Sequence, residues 1–231
     1  MSEREKILDR IREALRKPAP HPHSEEGNSP GRAPGSKIES LPRAWLPLVG
    51  EDVKDQMEVF AKNAADLKAR FQLVDGIEGL RSQLLQLRDT EDWKAVGSHH
   101  GLLTDAACAT LDRPVLHVDS GYQPETLEKC AVGITECDAL VAQTGSVLLT
   151  SRSAGGRALS VLPPHHVVIA RLGQMVRDLP EAFALLKRKY EKNYPSFISF
   201  VTGPSRTGDI ERILVLGAHG PKKLTIFCLR N

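Results

Sequence analysis

Apolar positions along this chain change their period several times, and each change marks a different kind of element. Near the start Ile7, Leu8, Ile11 and Leu15 recur at helical spacing, and Ser2 with Glu5 has the Ser-x-x-Glu spacing that closes a helix N-terminus. Residues 2–16 therefore read as an amphipathic helix, ended by Pro18, Pro20 and Pro22. From 18 to 42 large apolar residues are few and Pro, Gly, Ser and His dominate, which is the composition of a flexible linker. The pattern divides the chain into an arm with its linker over 1–44 and a compact domain over 45–231. The linker offers little to a core, so the domain is expected to fold without the arm.

Inside the domain, Val53, Met57, Phe60, Ala64 and Leu67 predict a helix over 51–69. Short apolar runs then alternate with helical stretches: a strand over 71–74, a helix over 76–87, a strand over 93–97, a helix over 104–111 and a strand over 114–118. Such alternation predicts an α/β fold with a mainly parallel sheet. The second half is denser in strands, at 131–134, 139–142, 147–150, 167–170, 197–201, 213–216 and 224–229. One helix, 178–193, interrupts them. Its Lys187, Arg188, Lys189 and Lys192 suit the negative end of the helix dipole and read as a solvated helix end.

Charge adds little to this picture. The chain of 231 residues carries a formal net charge of +2 with 26% charged residues, which gives no general attraction to nucleic acid or an anionic membrane. No apolar run approaches the roughly 20 residues of a membrane span, and the start is charged, so a cytoplasmic location is expected. Cys108, Cys130, Cys137 and Cys228 are dispersed, with no Cys-x-x-Cys pair, and read as reduced, buried thiols. There is no Gly-x-Gly-x-x-Gly, no Walker loop and no local metal-ligand spacing. The expected protein carries no cofactor, no metal and no redox centre of its own.

Three segments bring candidate chemistry. Thr144, Gly145 and Ser146 form a small-residue turn after an apolar strand, able to cradle an anion or simply to join two strands. Residues 151–157 place Arg152 and Arg157 around a pair of glycines, either as anion ligands or as solvated loop residues. After the strand ending at Val201 come Gly203, Ser205, Arg206, Thr207, Asp209 and Glu211. Arg206 offers a planar fork for a carboxylate or phosphate, and Asp209 can orient it or act as a base. In parallel sheets ligands sit at the carboxyl ends of strands. One cleft is therefore expected there, lined by Thr144, Gly145, Ser146, Arg206 and Asp209, with Arg152 or Arg157 and one of His165 and His166 at its rim. The adjacent pairs His99–His100 and His165–His166 send their side chains to opposite faces of a strand, so one member of each can face a cleft.

Four motifs in order resemble the signature of the LUD-domain family. They are Gly133-Ile-Thr-Glu-Cys-Asp138 leading to Gln143-Thr-Gly-Ser146, Gly156-Arg-Ala-Leu-Ser-Val-Leu-Pro-Pro-His165, Gly203-Pro-Ser-Arg-Thr-Gly-Asp-Ile-Glu211 and Leu216-Gly-Ala-His-Gly-Pro221. The likeness covers about 96–229, and the N-terminal helix and linker resemble the lactate-utilising branch of that family. It implies a three-layer fold with a Rossmann-like sheet, of the NagB/RpiA/CoA-transferase-like group. It also implies an accessory or substrate-handling role in oxidising lactate to pyruvate, alongside two iron–sulfur partner proteins. Kinship of fold with CoA transferases raises Glu136 as a possible nucleophile. Two alternatives stand beside this reading: a stand-alone enzyme on a small phosphorylated or acyl-CoA substrate, and a regulatory module that senses a small carboxylate.

Overall fold

A computed structural model describes residues 46–210, 213–216 and 220–230, together with Glu5, Leu8, Asp9, Arg10 and Glu13; side chains from 207 to 219 lie outside the description. Of the helix expected over 2–16, those five residues are helical, and the rest of it and the linker over 18–42 fall outside the described residues. Contacts divide the chain into units 1–43 and 44–231, and the second holds all of the sheets.

Helix α1 (Val53–Asp66) starts where the Asp52 carboxylate accepts the Lys54 N–H at 3.2 Å, and it buries Phe60 and Ala64, one turn apart. Strand β1 (Arg70–Asp75) leads into α2 (Gly76–Thr90), whose Leu80, Leu84 and Leu87 make a buried stripe. Then come β2 (Val96–Ser98), α3 (Leu102–Cys108), β3 (Val115–His117), the short α4 (Pro124–Leu127) and β4 (Val132–Thr135). These follow the alternation expected from the pattern, except that α4 lies where the pattern predicts no helix.

The later strands form two further groups. β5 (Ala139–Val141), β6 (Ser146–Thr150), β8 (Met175–Val176) and β9 (Ile198–Val201) make a sheet in the order β8-β5-β6-β9, in which β6 runs antiparallel to both neighbours. β10 (Arg206–Ile210) and β11 (Ile213–Leu216) pair as a separate antiparallel hairpin. The sequence reads 206–210 as a functional loop, because its glycine and charges hide the strand pattern. β7 (His165–Arg171) and β12 (Lys223–Arg230) return to the first sheet, which has six parallel strands in the order β1-β12-β7-β4-β2-β3.

A strand buried on both faces reads as a continuous apolar run, and β7 shows why. Val167 and Ile169 join the core beneath α2 and α3, with Leu80, Trp93 and Phe227. Val168 and Ala170 join the opposite core, with Phe60, Leu149 and Ile226. On that side the covering layer is α1 and the second sheet, so a sheet rather than helices alone packs on the parallel strands. Helix α5 (Leu179–Tyr190) covers the outer face of the second sheet through Ala182 and Leu186. It is pinned there by buried Asp138, whose Oδ1 accepts from Lys189 Nζ and Tyr190 OH, each at 2.6 Å. Burial alone would raise the Asp138 carboxyl, but hydrogen bonds from Lys189, Ser153, Tyr190 and Thr150 outweigh it and hold the group below its ordinary range. Among the described residues no helix is long and apolar enough to cross a membrane.

A Cβ on Gly133 in β4 would come 2.3 Å from the Leu159 carbonyl oxygen, a backbone atom with little room to move. Gly133→Ala is expected to cost roughly 1–3 kcal/mol, as overpacking does, and urea unfolding measures it; an unchanged midpoint would show that the Leu159 turn yields freely. Deleting residues 1–43 should leave a monophasic thermal transition within a few degrees of the full chain's, and an insoluble or non-cooperative product would make the arm part of the core.

Candidate functional site

The loops that lead into β7 and β12 meet the loop that leaves β9, and a cavity of about 170 Å³ lies between them. Ser160, His166, Gly203, Ser205 and Pro221 are in its walls, with Val161, Val201 and Leu224 as apolar lining. The sequence leaves these loops little freedom. Pro163 and Pro164 precede β7, and the Pro164 carbonyl accepts the Lys222 N–H at 2.8 Å, while the Ser205 N–H donates to the Pro221 carbonyl at 2.9 Å. Gly203 has φ +81°, and a Cβ there would lie 2.8 Å from the Leu67 carbonyl oxygen, so only glycine fits the turn.

His166 is the polar anchor of the cavity. Its Nε2 is hydrogen-bonded to the Thr135 hydroxyl at 2.9 Å, and its Nδ1 is buried with no partner among the described residues. Burial, with His165 beside it, pushes the imidazole down to about 3, so the ring is neutral at physiological pH. A neutral ring with one free nitrogen can exchange a hydrogen bond with a hydroxyl or carbonyl. The Ser160 hydroxyl donates to the Arg157 carbonyl at 3.0 Å and keeps its lone pairs. Ser205 adds a second hydroxyl. The cavity therefore suits a ligand of a few heavy atoms with both polar and apolar edges.

The expected site residues fall into two places. Ser146 opens β6, and its hydroxyl donates to Thr144 Oγ1 and is bonded to Thr202 Oγ1, each at 2.8 Å. The turn of Thr144, Gly145 and Ser146 thus touches Thr202, but none of the three lines the cavity. It also packs on α1, where Asn63 Nδ2 donates to the Ala142 and Gln143 carbonyls at 2.9 and 3.0 Å. Arg206 is exposed, and a Cβ on Gly203 would lie 3.4 Å from its Nη2, so the guanidinium stands beside the Gly203 wall. Asp209 lies in β10 and its side chain falls outside the description; Glu211 lies outside the described residues altogether.

Arg152 and Arg157 do not line the cavity. Arg152 is exposed and its guanidinium sits 5.3 Å over the Tyr190 ring, while exposed Arg157 contributes its carbonyl to Ser160. The loop between them lies toward the ends of β2 and β3, since a Cβ on Gly155 would come 2.3 Å from the His99 Cβ. Of the histidine pair, His166 lines the cavity and His165 faces the other core. His165 Nε2 is bonded to Thr225 Oγ1 at 2.9 Å, and its ring meets Trp93 edge to face at 5.7 Å. Burial lowers it to about 4. Alternation along a strand separates the two rings but does not say which faces the ligand.

The cavity is also not at carboxyl strand ends. His166 and Leu224 are the second residues of β7 and β12, so it lies at their amino ends. The rule for parallel sheets misleads here because the antiparallel second sheet delivers Val201 and Gly203 to the opposite edge. Ser160 carried no signal beyond its place in a motif, whereas Ser205 stood among the polar residues that follow Val201. Glu136 is occupied structurally: its Oε1 accepts the Leu103 and Thr104 N–H groups at 2.8 and 3.4 Å, and its own N–H donates to His99 Nε2 at 3.2 Å. It joins β4, β2 and α3.

These features define an α/β protein with a small, largely neutral cavity between the two sheets. The family model of the LUD domain matches residues 110–229, more than half of the chain, and the chain belongs to that family. Over 100 residues it is 41% identical to lactate utilization protein C of Geobacillus sp. (strain WCH70), which is 42% of this chain and 42% of that protein. Over 107 residues it is 38% identical to lactate utilization protein C of Anoxybacillus flavithermus (strain DSM 21510 / WK1), covering 46% of this chain and 47% of that one. The aligned region is thus under half the length of these relatives. A solved structure of a DUF162 family protein from Deinococcus radiodurans superposes with a TM-score of 0.60 at 19% identity, covering 79% of this chain and 99% of that chain, and it supports the fold.

Both buried histidines lie below the ordinary value of 6.5, to about 4 for His165 and about 3 for His166. As pH falls from about 6.5 the unfolded chain takes up protons that these folded rings refuse, so stability present above that pH is lost on the way down. Urea midpoints are expected to fall between pH 7 and pH 5, with a shallower slope in His166→Gln. A flat profile over that window would mean that both rings are reached by water.

Proposed function

We propose that this protein is an accessory or substrate-handling subunit of a lactate-utilising system. It holds a small 2-hydroxy or 2-oxo carboxylate in the cavity at His166, while two iron–sulfur partner proteins carry the electrons as lactate is oxidised to pyruvate. The observation that carries this reading is that every residue lining the cavity falls inside the region matched by the LUD-domain model, in a chain whose relatives are named for lactate utilization. The chemistry of the walls supports it. Neutral His166 suits the 2-hydroxyl or 2-oxo oxygen, the Ser160 and Ser205 hydroxyls suit the other oxygens, and Val161 and Val201 suit a methyl group. Arg206, beside Gly203, supplies positive charge and a planar fork for the carboxylate. The four free cysteines are buried, which agrees with a reducing, cytoplasmic setting.

Titration of the purified chain with lactate and pyruvate, followed by ligand-observed NMR, tests the binding, and complementation of growth on lactate tests the role. Ser205→Ala and Arg206→Lys are expected to weaken binding about tenfold, the size of one charge-assisted hydrogen bond, and to slow growth while leaving the circular dichroism spectrum unchanged. Normal growth on lactate with both variants would remove the cavity from the function. Turnover of a phosphorylated or acyl-CoA substrate by the chain alone would replace this reading with that of a stand-alone enzyme.

A further inference from the structure

At the carboxyl ends of β2 and β3 the fold assembles a second cluster, which the cavity does not use. Ser98 ends β2 opposite His117, the last residue of β3, and His100 follows two residues later. Asp105 comes from the first turn of α3. One potential ligand atom from each of His100, Asp105 and His117 lies within 4.8 Å of the others. His100 Nδ1 is 3.1 Å from Asp105 Oδ1, and the His100 and His117 rings stack at 4.1 Å with an interplanar angle of 4°.

The frame around the three is rigid. The Asp119 carboxylate accepts the His100 N–H at 2.6 Å. His99 is buried; its Nε2 accepts the Glu136 N–H, so its Nδ1 carries the proton and donates to the His100 carbonyl at 3.0 Å. The Thr104 hydroxyl donates to the His99 carbonyl at 2.9 Å. The three side chains themselves are less occupied. The His100–Asp105 contact uses one ring only, and His117 Nδ1 is buried with no partner among the described residues. One shared cation satisfies both stacked rings and the carboxylate together.

We propose that His100, Asp105 and His117 bind one divalent transition-metal ion. Two imidazole nitrogens and one carboxylate oxygen form a donor set that suits Zn²⁺, Co²⁺, Ni²⁺ or Fe²⁺, whereas Mg²⁺ and Ca²⁺ prefer oxygen alone. The stacked rings turn about their Cβ–Cγ bonds to bring their in-plane lone pairs onto one ion. His100 and Asp105 have the room, with side chains 59% and 50% exposed. With His100 and Asp105 exposed, three protein ligands leave a coordination position open to solvent, the arrangement by which a bound metal polarises water or an oxygen of a substrate. The place in the sheet supports a ligand site. The connection from β2 runs outward to β3, while β4, on the other side of β2, leads on toward β7, and such a reversal opens a crevice at the carboxyl ends of the strands. No local spacing betrays the site because its ligands come from three different elements.

The test uses the full chain, stripped with a chelator and desalted, with His21→Ala and His23→Ala introduced so that the histidines of the N-terminal linker cannot compete. One equivalent of Co²⁺ is expected to bind with a visible absorption band, and Zn²⁺ is expected to displace it and raise the melting temperature. Mg²⁺ and Ca²⁺ should do neither. His117→Ala, His100→Ala and Asp105→Asn should each weaken Co²⁺ binding by at least about the tenfold that losing even an outer-shell partner costs. If His117→Ala disturbs the circular dichroism spectrum, the two exposed positions decide. Absence of saturable binding, or binding that His100→Ala and Asp105→Asn leave unchanged, overturns the proposal. Carboxylate binding and growth on lactate are not readouts here, so this proposal and the reading of the cavity stand or fall separately.

Discussion

The structure depends on the burial of β12 between β1 and β7. A parallel strand needs neighbours on both edges for its N–H and C=O groups and apolar layers on both faces, and β12 receives all four. It pairs with β1 from Thr225 to Arg230 and with β7 from Lys223 to Leu229. Phe227 and Leu229 enter the core beneath α2 and α3, and Ile226 and Cys228 enter the core beneath the second sheet. Without this last strand β1 would have no partner in the sheet and the two cores would open along one line. The same insertion builds the cavity, because the approach to β12 brings Pro221 to the Ser205 N–H and Leu224 to the wall opposite Val201.

The second sheet decides which motifs meet. β6 runs antiparallel to β9, so the start of one lies beside the end of the other, and Ser146 touches Thr202. The far end of β6, four residues on, is roughly 14 Å away at about 3.4 Å per residue. The glycine-rich loop after it is thereby carried to His99 and the ends of β2 and β3. A single strand thus sends one small-residue turn toward the cavity and the next toward the opposite edge of the parallel sheet. A hydrogen-bonded path still connects the two regions along β4, since Thr135 bonds His166 and the next residue, Glu136, donates to His99.

Electrostatics separates the two regions further. At the cavity the titratable wall is one neutral imidazole held so by burial, with Arg206 outside it, which is a setting that selects by shape and hydrogen bonding. At the ends of β2 and β3, Asp105 meets the exposed His100 ring, while the Asp119 and Glu136 carboxylates accept from the backbone N–H groups of His100 and of Leu103 and Thr104. Such a partly exposed set of imidazole and carboxylate lone pairs favours a cation where the cavity favours a small carboxylate.

Much of the fold could be read from hydrophobic period alone. The stripe of Phe60 and Ala64 can be buried only on a helix, and the apolar run from Val167 to Ala170 can be satisfied only in a strand covered on both faces; both follow from local geometry that any tertiary arrangement must respect. The motif order likewise pointed to the LUD-domain family before any coordinate. Other features had no local cause. Arg206 to Ile210 became a strand because Ile213 to Leu216 folds back on it, His166 rather than His165 faces the cavity because the second sheet packs on that side of β7, and Arg152 turned away to stack on Tyr190 of α5. His100, Asp105 and His117 are neighbours solely through the parallel register of β2 and β3 and the placement of α3. The periods of helix and strand determine from sequence which side chains share a face, but which face meets a ligand is set by what packs against it, and that is a property of the whole chain.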